Sequence, residues 1–215
     1  MASETVQSSA VRAEPVAPPP VITGPLAGDP AFLGIPIFAA GSVALGLALV
    51  GYVPAAAVGG VLPIIFAATG MGLFVAAVWA AALGQTAVAG VFGLFSGFWW
   101  SYAALVLGLN HDWYKVPAAN VPRVQAIFLI SWAVVFAVLT VSTLHLPLSF
   151  TVIFGLVVVA LVALTIGTLN ADDTWTKAGG WVVLAFAAVG LYVFNAVASA
   201  ATGGRAYPLG RPLVK

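Results

Sequence analysis

Residues 28 to 38 read GDPAFLGIPIF, and they mark the point where a Pro-rich leader gives way to a long apolar stretch. Asp29 is the last charged residue before Asp112. A soluble domain carries about 25% charged residues, so the sequence between these two residues cannot form a water-facing surface. Asp is a favoured N-cap and Pro suits the first helical position. The pair Asp29–Pro30 therefore predicts the start of a first membrane helix.

The composition of the whole chain supports the same interpretation. Of 215 residues, 62% are hydrophobic and 6% are charged, which predicts a polytopic membrane protein. A net charge of +1 gives no argument for nucleic-acid binding. Cys is absent and the two His are far apart, so the sequence predicts no disulfide, no thiol nucleophile, no metal site and no cofactor.

Six apolar runs are each long enough to span a bilayer, whose core of about 30 Å needs about 20 residues of helix. They cover approximately Leu33–Gly51, Val61–Leu83, Val91–Leu109, Val124–Leu144, Ser149–Thr168 and Gly180–Ala201. The runs are apolar on every side, whereas barrel strands alternate apolar and polar residues. We therefore predict an all-α bundle of six transmembrane helices over residues 29–202, with a disordered N-terminal tail (1–28) and a C-terminal tail (203–215).

Six spans place both termini on one side of the membrane. The Lys and Arg residues on that side are Arg12, Arg205, Arg211 and Lys215. Those on the opposite side are Lys115, Arg123 and Lys177. This small excess, together with the basic C-terminus that follows the last span closely, favours cytoplasmic termini.

Glycine is abundant, with 23 residues in the chain. Pairs such as Gly93 and Gly97 place small groups one helical turn apart, and such pairs let helix backbones approach closely in membranes. The spacing predicts tight packing. It does not distinguish packing within one protomer from packing around a pore or between subunits.

Four pieces of the sequence resemble one known family in order and spacing. The stretch DPAFLGIPIF resembles the N-P-[AV]-P-[LF]-G-[LF] signature of the acetate/succinate uptake transporter family. The segment GQTAVAGVFGLFSGFWWSYA is similar to that family's G-N-T-x-G-x-x-x-F-x-x-[FY]-G-x-F-W stretch. The sixth apolar run, GGWVVLAFAAVGLYVFNAVAS, and the tail GRAYPLG resemble its last two motifs. Together the pieces extend from about residue 28 to residue 210.

The sequence departs from the family pattern at several positions. The family's Asn is Asp29 here, and the second Pro of the first motif is Phe32. A Glu that several bacterial members carry in the last span falls near Val197. An acid at the mouth of an anion path is unfavourable because like charges repel. Asp29 therefore takes a proton, caps the helix, or faces away from the path.

The resemblance implies a set of functional properties. Members of the family form six-helix protomers in hexameric rings, and each protomer has its own narrow path for acetate, in some cases succinate, usually with a proton. Matching the motifs residue by residue assigns the constriction of that path to Phe38 and Phe95. Counting from Trp132 adds Val157, with Leu156 as the alternative. Phe95 stands where many members have Tyr. The expected location is the plasma (inner) membrane.

Polar residues near the predicted path are candidates for binding the substrate. They are Asp29, Gln85, Thr86, Ser96, Ser101, Tyr102 and Asn195. Each has a structural alternative, a hydrogen bond to a neighbouring helix. Because the predicted spans contain no ionisable group apart from Asp29 at the very edge, we expect protons to cross on the substrate itself, whose carboxyl group has a pKa of about 4 to 5, like a Glu side chain.

The sequence therefore predicts a transporter for acetate and related short carboxylates. Its expected partners are the carboxylate, a proton, the lipid bilayer and further copies of the chain. One alternative is a channel for a small neutral solute such as urea or ammonia. Another is a membrane scaffold without transport activity. An enzyme is not expected, because the spans offer no arrangement such as Ser/His, Asp/Asp or HExxH that would perform proton transfer or hydrolysis.

Overall fold

The computed structural model describes residues 27–214, which form a bundle of helices. The bundle has six main helices: α1 Ala31–Leu49, α2 Met71–Ala82, α3 Thr86–Asn110, α4 Val121–Ser142, α5 Leu148–Asn170 and α6 Asp173–Ala201. Short 3-10 helices cover Ala55–Val61, Ala118–Asn120 and Thr143–His145, and a π-helical segment covers Ile64–Gly70. No strand occurs within the described range. The predicted all-α fold is confirmed, and nearly all of the predicted N-terminal tail lies outside the described residues.

Each of the six spans is long and apolar enough to cross a membrane, and the second one is composite, running from Ala56 to Ala82 through 3-10, π and α segments. Because the spans alternate in direction, both ends of the described chain lie at one face of the bundle. We call this the terminal face; it also holds the turns at 83–85 and 143–147. The opposite face, which holds the connections at 50–62, 111–120 and 171–172, is called the loop face. These features describe a multi-pass membrane protein.

Neighbouring helices pack in a defined order. The most extensive contacts are, in decreasing order, those of α1 with α6, α5 with α6, α4 with α5, and α2 with α3. α4 meets α3 only slightly, and much of α4 is exposed, with Ile127 and Val138 each 66% accessible. Apolar side chains this exposed are typical of a surface covered by lipid or by another subunit.

The π-helical segment is fixed by side chains from both neighbours. Ser96 of α3 donates a hydrogen bond to the Gly70 carbonyl at 2.8 Å, and the Trp100 Nε1–H donates to the Phe66 carbonyl at 3.2 Å. Thr69 in the segment donates to the Ile37 carbonyl of α1 at 3.3 Å. Buried backbone carbonyls need hydrogen-bond partners. These bonds therefore stabilise a segment whose own backbone hydrogen bonds depart from the α-helical pattern. The hydropathy pattern did not predict this segment.

Two helices begin earlier than the sequence analysis predicted. α3 starts at Thr86 instead of Val91, so the turn before it is short, and α6 starts at Asp173 instead of Gly180. At α6 the Asp172 carboxylate accepts a hydrogen bond from the Thr174 N–H at 2.8 Å. This N-cap lets charged residues that were assigned to a loop form the first turns of the helix.

The C-terminal segment 203–214 folds back against α5 and α6. The Tyr192 hydroxyl donates to the Pro208 carbonyl at 2.7 Å, and the Ser149 hydroxyl donates to the Leu209 carbonyl at 2.8 Å. Gly210 has φ of 85°, and a Cβ there would lie 2.7 Å from the Leu148 Cβ. Glycine is therefore required for this close approach. The tail motif GRAYPLG thus corresponds to a segment that packs on the bundle.

Candidate functional site

Two apolar cavities lie inside the bundle, one toward each face. The outer cavity has a volume of about 240 Å³ and lies toward the terminal face. Its wall comes from the first turns of α1, α3 and α5 and from the second half of α6. These helices contribute, among others, Ala31, Ala87, Phe150 and Val193, in that order. All of the side chains that line it are apolar.

The inner cavity is much smaller, at about 30 Å³, and lies toward the loop face. It is enclosed by α1, α3, α5 and α6, and its wall includes Leu45, Trp99, Leu161 and Val183. All of its lining side chains are hydrocarbon except for the indole N–H of Trp99.

Phe38 and Phe95 separate the two cavities, and among the described residues they alone line both. Their ring centroids are 4.6 Å apart, and the side chains are only 6% and 5% exposed. Rings at this distance are in van der Waals contact. The two phenylalanines therefore form a closed neck between the cavities.

Further aromatic rings hold the neck residues in place. The centroid of Phe154 on α5 lies 5.7 Å from that of Phe95, and the centroid of Phe136 on α4 lies 4.6 Å from it. Phe186 on α6 stacks on Phe38 at 5.7 Å. Rings from three further helices, α4, α5 and α6, thus pack around the neck.

The third member of the sequence-derived constriction also lies at this point. Val157 of α5 is 5% exposed and lines the inner cavity together with Phe38 and Phe95. The alternative residue, Leu156, is half-buried and lines neither cavity. The geometry therefore favours Val157 over Leu156, although the role of all three as a constriction stays a prediction.

The seven polar candidates lie elsewhere, since the walls of the two cavities contain none of them. Ser96 is buried and donates to the carbonyl of Gly70, as its structural alternative predicted. Ser101 donates to the Gly97 carbonyl at 2.5 Å, within its own helix. Tyr102 is half-buried and packs against the ring of Phe128 at a centroid distance of 6.0 Å.

The other polar candidates lie near the terminal face. Thr86 and Asn195 are exposed and Gln85 is half-buried. Gln85 and Thr86 precede Ala87, which lines the outer cavity. They are therefore at the edge of its mouth, at the start of α3, whereas Asn195 lies on an exposed side of α6.

Asp29 has a structural role at the start of α1. It is exposed, and its Oδ1 accepts a hydrogen bond from the Ala31 N–H at 2.9 Å. This bond satisfies one of the free N–H groups of the first turn, as an N-cap does, and it agrees with the capping interpretation of the Asp-Pro pair. The helix itself begins at Ala31, one residue after the Pro30 start that the Asp-Pro pair predicts and two residues before the apolar run at Leu33.

Replacing Asp29 tests whether capping is its only role. We expect Asp29→Asn to unfold at the same temperature as the parent protein, because Asn caps a helix as well as Asp does. Asp29→Ala should lower the free energy of unfolding by about 1 kcal/mol. Transport at neutral pH should be unchanged in Asp29→Asn. Thermal unfolding in detergent and a flux assay measure the two properties, and a clear rise in anion flux in Asp29→Asn would show instead that the carboxylate faces the path.

Sequence reasoning missed Phe154, Phe186 and Trp99 as parts of the site. On α5 the residues Phe154, Val157 and Leu161 follow a helical spacing of three and four, which places them on one face. That signal was present in the sequence. It was hidden because α5 is apolar on all sides, so no polar face marks by contrast which side is buried in the bundle.

The apolar lining of the neck affects which solutes it can accept. A dry neck of phenylalanine rings offers nothing to replace the hydration shell of an ion, and removing that shell is very costly. A small neutral molecule loses much less. The linings of the two cavities therefore offer an ion no compensating charge. Within the described residues, no group of three His, Asp or Glu lies close enough to hold a metal ion.

Comparison with known proteins matches this chain to a family and to a solved structure. The model of the GPR1/FUN34/yaaH family matches residues 14–211. The solved structure of the bacterial acetate channel SatP aligns with a TM-score of 0.75 at 23% sequence identity, covering 85% of this chain and 99% of that chain. No curated protein sequence matches significantly. At this level of identity, the structural likeness establishes a shared fold.

Proposed function

The chain belongs to the GPR1/FUN34/yaaH family, and on that premise we propose that it transports acetate and related short carboxylates across a membrane. The family assignment confirms the resemblance to acetate/succinate uptake transporters seen in the sequence motifs. Similarity to an acetate channel supports the same substrate class. The observation that carries the proposal is the pair of cavities that meet only at Phe38 and Phe95.

The outer cavity offers the substrate a binding position at the terminal-face end of the path. At the start of α3 the N–H groups of Ala87 and Val88 have no hydrogen-bond partner among the described residues, and both residues line the cavity. Free N–H groups and the positive end of the helix dipole attract anions. The corresponding N–H of Ser149 on α5 is occupied, since it donates to the Leu209 carbonyl. Acetate at the mouth therefore meets the start of α3 first.

The neck then passes the protonated acid. No ionisable side chain of the described chain lines either cavity, so no charged group of the protein compensates a carboxylate there. A neutral carboxylic acid is desolvated at far lower cost than its anion. The proton consequently crosses with the substrate, and the methyl group of acetic acid contacts the phenylalanine rings. The same neck favours small acids, so we expect succinate to be transported more slowly than acetate.

The remaining parts of the proposal rest on the resemblance and on charge. We infer a homohexamer in the plasma membrane, with a separate path in each protomer and cytoplasmic termini. Arg205 and Arg211 lie at the terminal face, which agrees with the preference of basic residues for the cytoplasmic side. The transport role itself needs no enzymatic step.

Uptake of labelled acetate into proteoliposomes tests this function. We expect the protein-dependent rate to rise as the external pH is lowered from 7 toward 5, because the neutral fraction of an acid with a pKa near 4 to 5 grows about tenfold for each unit. Propionate should compete with acetate. Protein-free liposomes are the essential control, because acetic acid also diffuses through lipid, and that background neither saturates nor responds to a competitor.

The same assay separates the alternatives. An apolar path without charges also fits a channel for a neutral solute, so labelled urea is measured in parallel. Urea uptake that matches acetate uptake and is insensitive to propionate would favour that channel. Vesicles whose acetate rate equals the protein-free rate at every pH would instead support a membrane scaffold without transport.

A further inference from the structure

Trp99 combines two properties that set it apart from the other side chains of the bundle. It is 1% exposed and is the largest fully buried side chain among the described residues. Its Nε1–H is also the one buried side-chain polar group of the described chain that has no hydrogen-bond partner. Buried tryptophans normally find an acceptor for this group, and leaving a buried donor unpaired is unfavourable.

The lack of a partner is specific to this position. The adjacent Trp100 donates its Nε1–H to the Phe66 carbonyl at 3.2 Å, so the helices do supply acceptors to a neighbouring indole. Trp99 instead lines the inner cavity, one turn of α3 beyond the neck residue Phe95. Every other lining side chain there is hydrocarbon. A phenylalanine, of which the chain has 13, would fill an apolar wall without the cost of an unpaired N–H.

We propose that the Trp99 Nε1–H donates a hydrogen bond to a carboxyl oxygen of the substrate in the inner cavity, which measures about 30 Å³ with the neck closed and widens as the neck rings move apart. This inference rests on the proposed transport of short carboxylates and adds a binding position on the far side of the neck. The indole N–H is a donor only, so it recognises an acceptor such as a carboxyl oxygen and cannot accept a hydrogen bond from an ammonium ion. The apolar wall around it contacts the methyl group of the acid.

Nuclear magnetic resonance tests the contact directly. The chain has seven tryptophans, and the indole N–H signals of ¹⁵N-tryptophan-labelled protein in lipid nanodiscs are separable. The signal that is missing from Trp99→Phe belongs to Trp99. On titration with acetate it should move downfield in a saturable way, because a hydrogen bond deshields the donor proton. A Trp99 signal that stays in place at acetate concentrations that saturate transport would overturn the inference.

Transport kinetics provide a second readout. We expect Trp99→Phe to raise the KM for acetate by up to about tenfold, because a hydrogen bond to a neutral acid contributes at most about 1.5 kcal/mol and about 1.4 kcal/mol corresponds to a factor of ten. The matched control is Trp132→Phe. Trp132 also packs against Phe98, at a centroid distance of 5.7 Å, but it lines neither the inner nor the outer cavity. Its variant should keep the KM of the parent protein, and an equal rise in both variants would indicate a packing effect and overturn the assignment.

A second substitution addresses folding and volume. If Trp99→Phe does not fold, incorporation of 3-benzothienylalanine at position 99 replaces the N–H by sulfur and keeps the ring size. The same rise in KM is expected, and an unchanged KM would overturn the inference. Failure of this inference can be distinguished from failure of the proposed function. Wild-type protein without acetate flux refutes transport, whereas normal flux with an unmoved Trp99 signal refutes only the hydrogen bond.

Discussion

Replacing Phe95 by Trp is expected to reduce acetate flux about tenfold or more. The Phe95 ring is 5% exposed and has Phe38, Phe136 and Phe154 around it, at centroid distances of 4.6, 4.6 and 5.7 Å. An indole is larger than a phenyl ring, and overpacking a filled site costs about 1–3 kcal/mol. Passage requires the neck rings to move apart. A barrier raised by about 1.4 kcal/mol slows that step about tenfold.

The control for this variant is Phe150→Trp. Phe150 is half-buried and lines only the wider outer cavity, so its replacement adds the same atoms without narrowing the neck. We expect its flux to stay within about twofold of the parent protein. Both variants are compared at equal amounts of folded protein in the membrane, measured by size-exclusion profile. Undiminished flux in Phe95→Trp would show that the solute does not pass between Phe38 and Phe95.

The sequence predicted the fold well because one physical constraint dominates it. Backbone polar groups have no water partners in lipid, so an apolar run of sufficient length becomes a helix. The ends of the helices were predicted less well. Hydropathy assigned 170–180 to a loop because of its charges, yet the Asp172 cap allows α6 to begin at Asp173, outside the apolar core. Local hydrogen bonding determines such boundaries, and hydropathy does not register it.

The candidate site was predicted in part. Phe38 and Phe95 followed from motif register, and the structure places both at the junction of the cavities. Phe186 and Trp99 were missed, because helices that are apolar on every side do not reveal which face points inward. The polar candidates were selected as hydrogen-bonding groups in an apolar sequence. Ser96 shows why this criterion is weak, since its hydroxyl already bonds the Gly70 carbonyl of a neighbouring helix.

The contact between α1 and α6 depends on glycines, and Gly180→Ala is expected to destabilise the protein by about 2 kcal/mol. A Cβ at Gly180 would lie 2.8 Å from the Leu49 Cβ and 3.0 Å from the Val50 N. The first of these atoms is fixed to the backbone and the second belongs to it, so no side-chain rotation relieves the overlap. The helices must separate, and overpacking of this kind costs about 1–3 kcal/mol. For a chain of this size the melting temperature should fall by roughly 4–8 °C.

Gly155→Ala is the matched control, because it adds the same methyl group at a glycine within a membrane helix. A Cβ at Gly155 would meet no atom within 4 Å, so only the helix propensity changes, and Ala is favoured over Gly by up to about 1 kcal/mol. Its melting temperature should therefore be unchanged or higher. Thermal unfolding followed by size-exclusion fluorescence compares the two variants. If Gly180→Ala were as stable as Gly155→Ala, the close approach of α1 and α6 would not hold the bundle together. The density of glycine in these helices would then have to be explained by contacts outside the protomer.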